Sequence, residues 1–129
     1  MPVFRVASSS PYAPVIGFSS AVRAGNLVFG AGTTAVDSSG AVIGGDDPYA
    51  QTQEALRKIS AMLAEAGTDL SHVVQTRMYL VRSEHWEHVG RAHREVFAEN
   101  PPAATMVVVA VLLDPRMLVE IEAVAHLGL

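Results

Sequence analysis

The sequence predicts an α+β subunit, a single sheet of about six strands with two helices packed on one face. Three observations carry this. Alternating apolar and polar residues mark strands near both ends of the chain. Two segments between them show the apolar stripe of amphipathic helices. Short clusters of Gly, Asn, Asp, Ser and Pro separate the pieces, giving the order strand, strand, strand, helix, strand, helix, strand, strand.

Residues 4–7 read as a short edge strand and 8–14 as a loop. Residues 15–22 and 27–36 read as two strands, and the Gly25-Asn26 pair between them favours a hairpin. Gly30 and Gly32 interrupt the second of these, which points to a bulge or a close backbone approach. A turn at 37–40 leads to Asp47 as helix cap and Pro48 at the first helical position. The first helix runs over about 48–66, with Ala55, Leu56, Ile59, Met62, Leu63 and Ala66 on one stripe, and Gly67 ends it. Residues 73–81 form a strand with Val74, Met78 and Leu80 on one face and Gln75, Arg77 and Tyr79 on the other. The second helix runs over about 84–99, capped by Ser83, with Trp86, Val89, His93, Val96 and Phe97 buried.

The end of the chain is the most telling part. Residues 106–113 are apolar on both faces, which asks for burial on both faces. Residues 118–125 alternate, with Glu120 and Glu122 on one face and Val119, Ile121 and Ala123 on the other. A turn at Asp114-Pro115-Arg116 joins the two. Two helices leave one sheet face bare, so that face is expected to be a subunit interface holding a ligand cleft with carboxylates.

The chain has 129 residues, half of them hydrophobic, with a net charge of −4. One domain spanning residues 1–129 is expected. A mildly acidic chain without basic runs has no electrostatic footprint for nucleic acid or an anionic membrane. With no cysteine, disulfides, thiolate metal sites and thiol catalysis are excluded. The opening Met1-Pro2-Val3 does not begin a signal peptide, and a cytoplasmic protein is expected.

The run 21–29, Gly32, Gln53, Ala55-Leu56, Ala66-Gly67, Val73-Val74, Pro102-Ala103 and residues 119–123 occur in the order seen in one family. The chain resembles the Rid family, also called YjgF/YER057c/UK114 or endoribonuclease L-PSP. The resemblance covers nearly the whole chain. It implies a chorismate-mutase-like fold, a homotrimer with ligand clefts between subunits, and hydrolysis of 2-imino or 2-enamino acids. It maps the water-orienting carboxylate to Glu120. The substrate-clamping arginine maps to Ala104, the pocket tyrosine to Phe18, a pocket serine to Ala31 and a helix asparagine to Gly90. The loop 113–117 is one residue longer than usual. The pattern is that of a pocket remade for a less anionic or larger ligand, as in arginine-lacking branches of the family.

Further candidates follow from the residues. Gly32 lets a ligand approach the strand backbone, and Thr33 and Thr105 can hydrogen-bond to it. Arg77, Arg91 and above all Arg116 are candidates to replace the missing cation. His85 and His88 lie three apart on the second helix without a third ligand, so no metal is expected, and no cofactor. Gly30 and Gly32 lack the lysine and helix start of a phosphate loop. The functional expectation is a trimeric protein that binds a small organic molecule in intersubunit clefts; if it is an enzyme, it hydrolyses an imine- or enamine-type C–N bond through Glu120, and not as a standard 2-imino acid deaminase. The alternatives are a non-catalytic small-molecule sensor and, more remotely, an endoribonuclease.

Overall fold

In a computed structural model, residues 3–128 are described; Met1 and Pro2, part of the signal-peptide reading, lie outside them. Among the described residues the chain forms β1 (Phe4–Val6), α1 (Ala13–Ile16), β2 (Ala21–Ala24), β3 (Leu27–Gly30), α2 (Pro48–Ala66), β4 (Val73–Leu80), α3 (Trp86–Phe97), β5 (Ala103–Val108) and β6 (Val119–His126). The strands make one mixed sheet in the order β1-β2-β3-β6-β4-β5. Only β4 and β5 run parallel, joined by the crossover helix α3; the other pairs are antiparallel. The α+β architecture and the six strands agree with the sequence expectation.

The core lies between the sheet and α2 with α3. Leu56, Ile59 and Leu63 of α2 meet Val28, Leu80, Val119 and Ile121 from the sheet, each at most 2% exposed. Burying a side chain of this size contributes about 1.5–3 kcal/mol. The bounds of α2 follow from its caps: Asp47 accepts a hydrogen bond from the Tyr49 N–H at 2.9 Å, and Gly67 ends the last turn. Among the described residues no helix is long and apolar enough to cross a membrane.

Several expectations need correction. The strand expected over 15–22 begins only at Ala21, as β2. Pro14 sits in the first turn of α1 and Gly17, at φ 88°, stops it in a left-handed conformation that suits glycine. Val15 and Ile16 are exposed, so no core demanded an extended chain there. The strand expected over 27–36 ends at Gly30 and resumes only as a bridge between Thr33 and Ile121. A bulge between Val73 and Gln75 turns Val74 outward, leaving Val73 in the core beside Met78 and Leu80. The second helix starts as a 3-10 turn over Ser83–His85 with no side-chain cap. Its buried stripe is Val89, Ala92 and Phe97; Trp86 and Val96 are exposed, because the stripe rotates around Ala92.

β5 occupies the free edge of the sheet, next to β4 and away from β6. The turn after it therefore joins two strands that do not pair. Val107, Val108, Val111 and Leu113 are exposed within the single chain. The strand expected over 106–113 runs instead over Ala103–Val108, and the apolar residues 109–113 lie in the segment that follows it.

Candidate functional site

The site forms where β3 leaves the sheet. After Gly30 the chain swings out and touches β6 again only at Thr33, whose N–H donates to the Ile121 carbonyl at 2.8 Å while the Ile121 N–H donates back at 2.9 Å. Between that departure, the loop around α1, one side of α2 and the loop before β6 lies a cavity of about 680 Å³. Phe18, Ile16, Ala31, Met62, Leu113 and Met117 supply much of its apolar wall.

Glu120 enters this cavity by simple alternation. Val119 and Ile121 are buried in the core, so Glu120 faces the other way. Its carboxylate rests on Gly32: a Cβ built on Gly32 would stand 2.1 Å from Glu120 Oε2. Any side chain there would displace the carboxylate. Among the described residues Glu120 has no hydrogen-bond or ion-pair partner from its side chain. Burial raises its carboxyl above the usual range, and the nearby Glu122 adds to the effect.

Of the other charged groups at the cavity, Glu65 is exposed and has no side-chain partner among the described residues, and the rest are already engaged. Arg57 holds Glu54 through two hydrogen bonds of 2.8 and 2.6 Å. Lys58 Nζ donates to the carbonyls of Thr34 and Val36, both at 2.7 Å, and burial lowers its pKa. Asp37 accepts from Ser39 and from the Ala41 N–H within its own turn, which lowers its pKa. The Thr33 hydroxyl donates to the Ala31 carbonyl at 2.9 Å.

A buried glutamine sets the position of the strand that carries Glu120. Gln51, 0% exposed, donates to the carbonyls of Gly45 at 2.6 Å and Arg116 at 2.9 Å. Its Oε1 accepts from the Leu118 N–H at 2.9 Å. One side chain thus ties α2 to the loop entering β6, with all its main polar capacity used.

Of the residues singled out from sequence, the cavity gathers Phe18, Ala31, Gly32, Thr33 and Glu120. It does not gather Gly90, Ala104, Thr105 or Arg116. Gly90 sits in mid α3. Ala104 pairs with Thr76 and Thr105 with Arg77 on the free-edge strand, with β4 between them and β6. Arg116 is a loop staple: it grips Asp114 at 2.9 and 2.8 Å and donates to the Gly40 carbonyl at 3.2 Å. That hydrogen-bonded guanidinium holds the Asp114 carboxyl at about 2. Arg77 faces Glu122 rather than Glu120. Arg91 lies over the Tyr49 ring, 4.0 Å from its centroid. His93 shares a hydrogen bond of 2.8 Å with the Thr76 hydroxyl, and its burial lowers its pKa. Among the described residues no three His, Asp or Glu side chains gather as a metal site.

Sequence reasoning missed Gln51, Lys58 and Tyr12. Gln51 carried a signal: it lies one turn before Ala55 on the apolar stripe, where a polar side chain must have buried partners. Lys58 lies three residues beyond Ala55 and four before Met62, beside the same stripe. Tyr12 reaches the cavity through a loop whose path no periodicity encodes.

The family model for endoribonuclease L-PSP matches residues 8–127. An uncharacterized protein of Streptomyces coelicolor, SCO2049, is 40% identical over 126 residues, covering 98% of this chain and 93% of that protein. A RutC family protein of Pyrococcus abyssi is 33% identical over 114 residues, covering 88% of each. Among solved structures, Rv2704 of Mycobacterium tuberculosis, described as a member of the YjgF/YER057c/UK114 family, superimposes with a TM-score of 0.88 at 42% identity. The match covers 97% of this chain and 99% of that one. A protein of unknown function from Pseudomonas aeruginosa, PA3499, gives 0.85 at 32% identity, covering 99% and 94%.

Proposed function

The chain belongs to the endoribonuclease L-PSP, or YjgF/YER057c/UK114, family, and from that membership we propose that it binds a small organic molecule in the Glu120 cavity and hydrolyses a C=N bond of it. The carrying observation is a carboxylate without a partner, seated on Gly32 at the wall of a cavity of about 680 Å³. A carboxylate in that setting can accept a proton from water as the water oxygen adds to the imine carbon. The nitrogen takes that proton to complete the carbinolamine; the hydroxyl proton then passes through the same carboxylate to nitrogen as the C–N bond breaks, and a carbonyl compound and an amine leave. Burial favours this role by keeping the Glu120 pKa nearer neutrality than that of an ordinary glutamate.

The same reading includes a homotrimer in a cytoplasmic setting, with the bare sheet face and the exposed valines of β5 covered by neighbouring copies. Gly90, Ala104 and Thr105 reach a ligand, on this reading, only across such an interface. Ala104 offers no charge to a substrate carboxylate, so 2-aminoacrylate is expected to be a poor substrate. The ribonuclease alternative receives no support: no histidine lines the cavity among the described residues.

Light scattering at micromolar concentration and carbonyl release from a panel of imines test the reading. Three times the subunit mass and acceleration over buffer are expected. A monomer removes the intersubunit part, and no acceleration with any imine removes the catalytic part.

A further inference from the structure

We propose that the cavity selects a cationic, carboxylate-free nitrogen compound: a protonated imine or the corresponding amine. This rests on the functional reading only in using the same cavity; it adds the charge of the ligand.

Two cations line the cavity, Arg57 and Lys58, and four carboxylates, Asp37, Glu54, Glu65 and Glu120. Arg57 is matched against Glu54 by a two-point contact. Lys58 lies against two loop carbonyls, which occupy two of its three N–H groups and hold the ammonium to the loop wall. Asp37 is held by its own turn. Glu65 and Glu120, among the described residues, have no hydrogen-bond or ion-pair partner; Glu65 is exposed, and Glu120 is the one that lies against Gly32. The uncompensated charge facing the space beside Gly32 is therefore negative.

A half-buried carboxylate gains most from a ligand that brings a positive N–H to it, because a charge-assisted hydrogen bond replaces lost hydration. A ligand carboxylate in the same place would meet like charge and find no free guanidinium. The apolar wall from Phe18, Ile16 and Met117 then suits the hydrocarbon part of such a ligand. For a protonated imine the balance is simple. The iminium and one water give a carbonyl compound and an ammonium ion: Glu120 takes a proton from the attacking water and passes it to nitrogen, and the hydroxyl proton follows to nitrogen as the C–N bond breaks. The cation that Glu120 attracts is then the group whose carbon the water attacks.

Three probes sharing a benzyl group decide it: benzylamine, phenylacetamide and phenylacetate, titrated into the full chain and followed by NMR shifts of the Gly32 amide. Benzylamine is expected to bind roughly ten-fold or more tightly than phenylacetate, with phenylacetamide between them. Glu120→Gln is expected to abolish the preference. Phenylacetate binding as tightly as benzylamine, or no benzylamine binding at all, overturns the proposal, as does a preference that survives Glu120→Gln. Should that variant fold poorly, the ranking of the three probes on the natural protein still decides. The outcome is separable from catalysis. A benzylamine preference without hydrolysis of any imine leaves the charge selection standing and removes the hydrolase reading alone.

Discussion

Glu120 and Glu122 lie two residues apart on one strand and one face, yet they live in different chemistry. Glu122 accepts a hydrogen bond from the Tyr79 hydroxyl and faces the Arg77 guanidinium at 3.9 Å. Glu120 has neither. Its cross-strand neighbour is also Tyr79, but that hydroxyl is turned to Glu122. On its other side β3 has already left the sheet, so Glu120 meets Gly32 and a cavity rather than a strand. Alternation decides which face a glutamate takes. The neighbouring strand's path decides whether it is a structural ion or an available base.

The sharpest way to break this comparison is to neutralise each in turn. Glu120→Gln keeps shape and removes the base, and the rate of imine hydrolysis is expected to fall about 100-fold or more. Glu122→Gln is expected to leave the rate within about three-fold, since an exposed pair contributes under ~1 kcal/mol. Equal losses in steady-state kcat/KM would show that the two carboxylates act as one site and that the contrast in partners has no chemical meaning.

Gly32→Ala asks whether the seat matters as much as the carboxylate. Gly32 is exposed and does not occupy the left-handed region, so alanine fits its backbone. The new methyl would meet Glu120 Oε2 at 2.1 Å, and the flexible glutamate must yield. A displacement of about 1 Å can cost on the order of 100-fold in rate. The expected signature is a drop in kcat, close to that of Glu120→Gln, with the thermal unfolding temperature unchanged. A drop in unfolding temperature in proportion to the rate loss would mean that Gly32 serves the fold instead.

Much of this contrast was legible in the chain, and the rest was not for identifiable reasons. The alternation of β6 and the caps of α2 are local signals, and both survived unchanged. The glycine interruption after β3 was visible, but its consequence was not, because only the three-dimensional path shows that Gly32 lands on Glu120. The strand expected over 15–22 starts only at Ala21, because Pro14 and Gly17 outweighed a short apolar run at Val15 and Ile16 that nothing buries. Val74 failed through a bulge at the start of β4, which puts Val73 in the core in its place while Met78 and Leu80 keep their expected face, and which leaves no mark in composition. Ala104 and Thr105 came from a resemblance between chains, and their relation to the cavity cannot be read from one chain's own periodicity.

The pH dependence sharpens the comparison further. A base must be ionised to work, and burial raises the Glu120 pKa above its ordinary value of 4.5. Activity is therefore expected to fall as pH drops through a value above 4.5, with a limb that Glu120→Gln removes from whatever rate remains. A limb lying at or below the ordinary value, in kcat/KM measured against pH, would place the working carboxylate in water rather than in the cavity.

The smallest effect is on stability, and its sign separates the two residues most cleanly. A group whose pKa is raised by folding favours the folded state only while protonated. For Glu120 that contribution is present below the unfolded value and lost as pH rises through the folded one. At neutral pH the ionised Glu120 is thus a burden on the fold, part buried and without a partner. Glu120→Gln is expected to raise the unfolding temperature by a few degrees at pH 7, and to lose that advantage near pH 4, where the natural residue is itself protonated. Glu122→Gln is expected to go the other way, a slight loss at pH 7, because it weakens the contacts with Tyr79 and Arg77. Thermal unfolding of both variants at the two pH values checks this. Two losses at pH 7 would mean that Glu120 has a partner in solution, contributed by a neighbouring copy, and would turn it from an available base into a second structural ion.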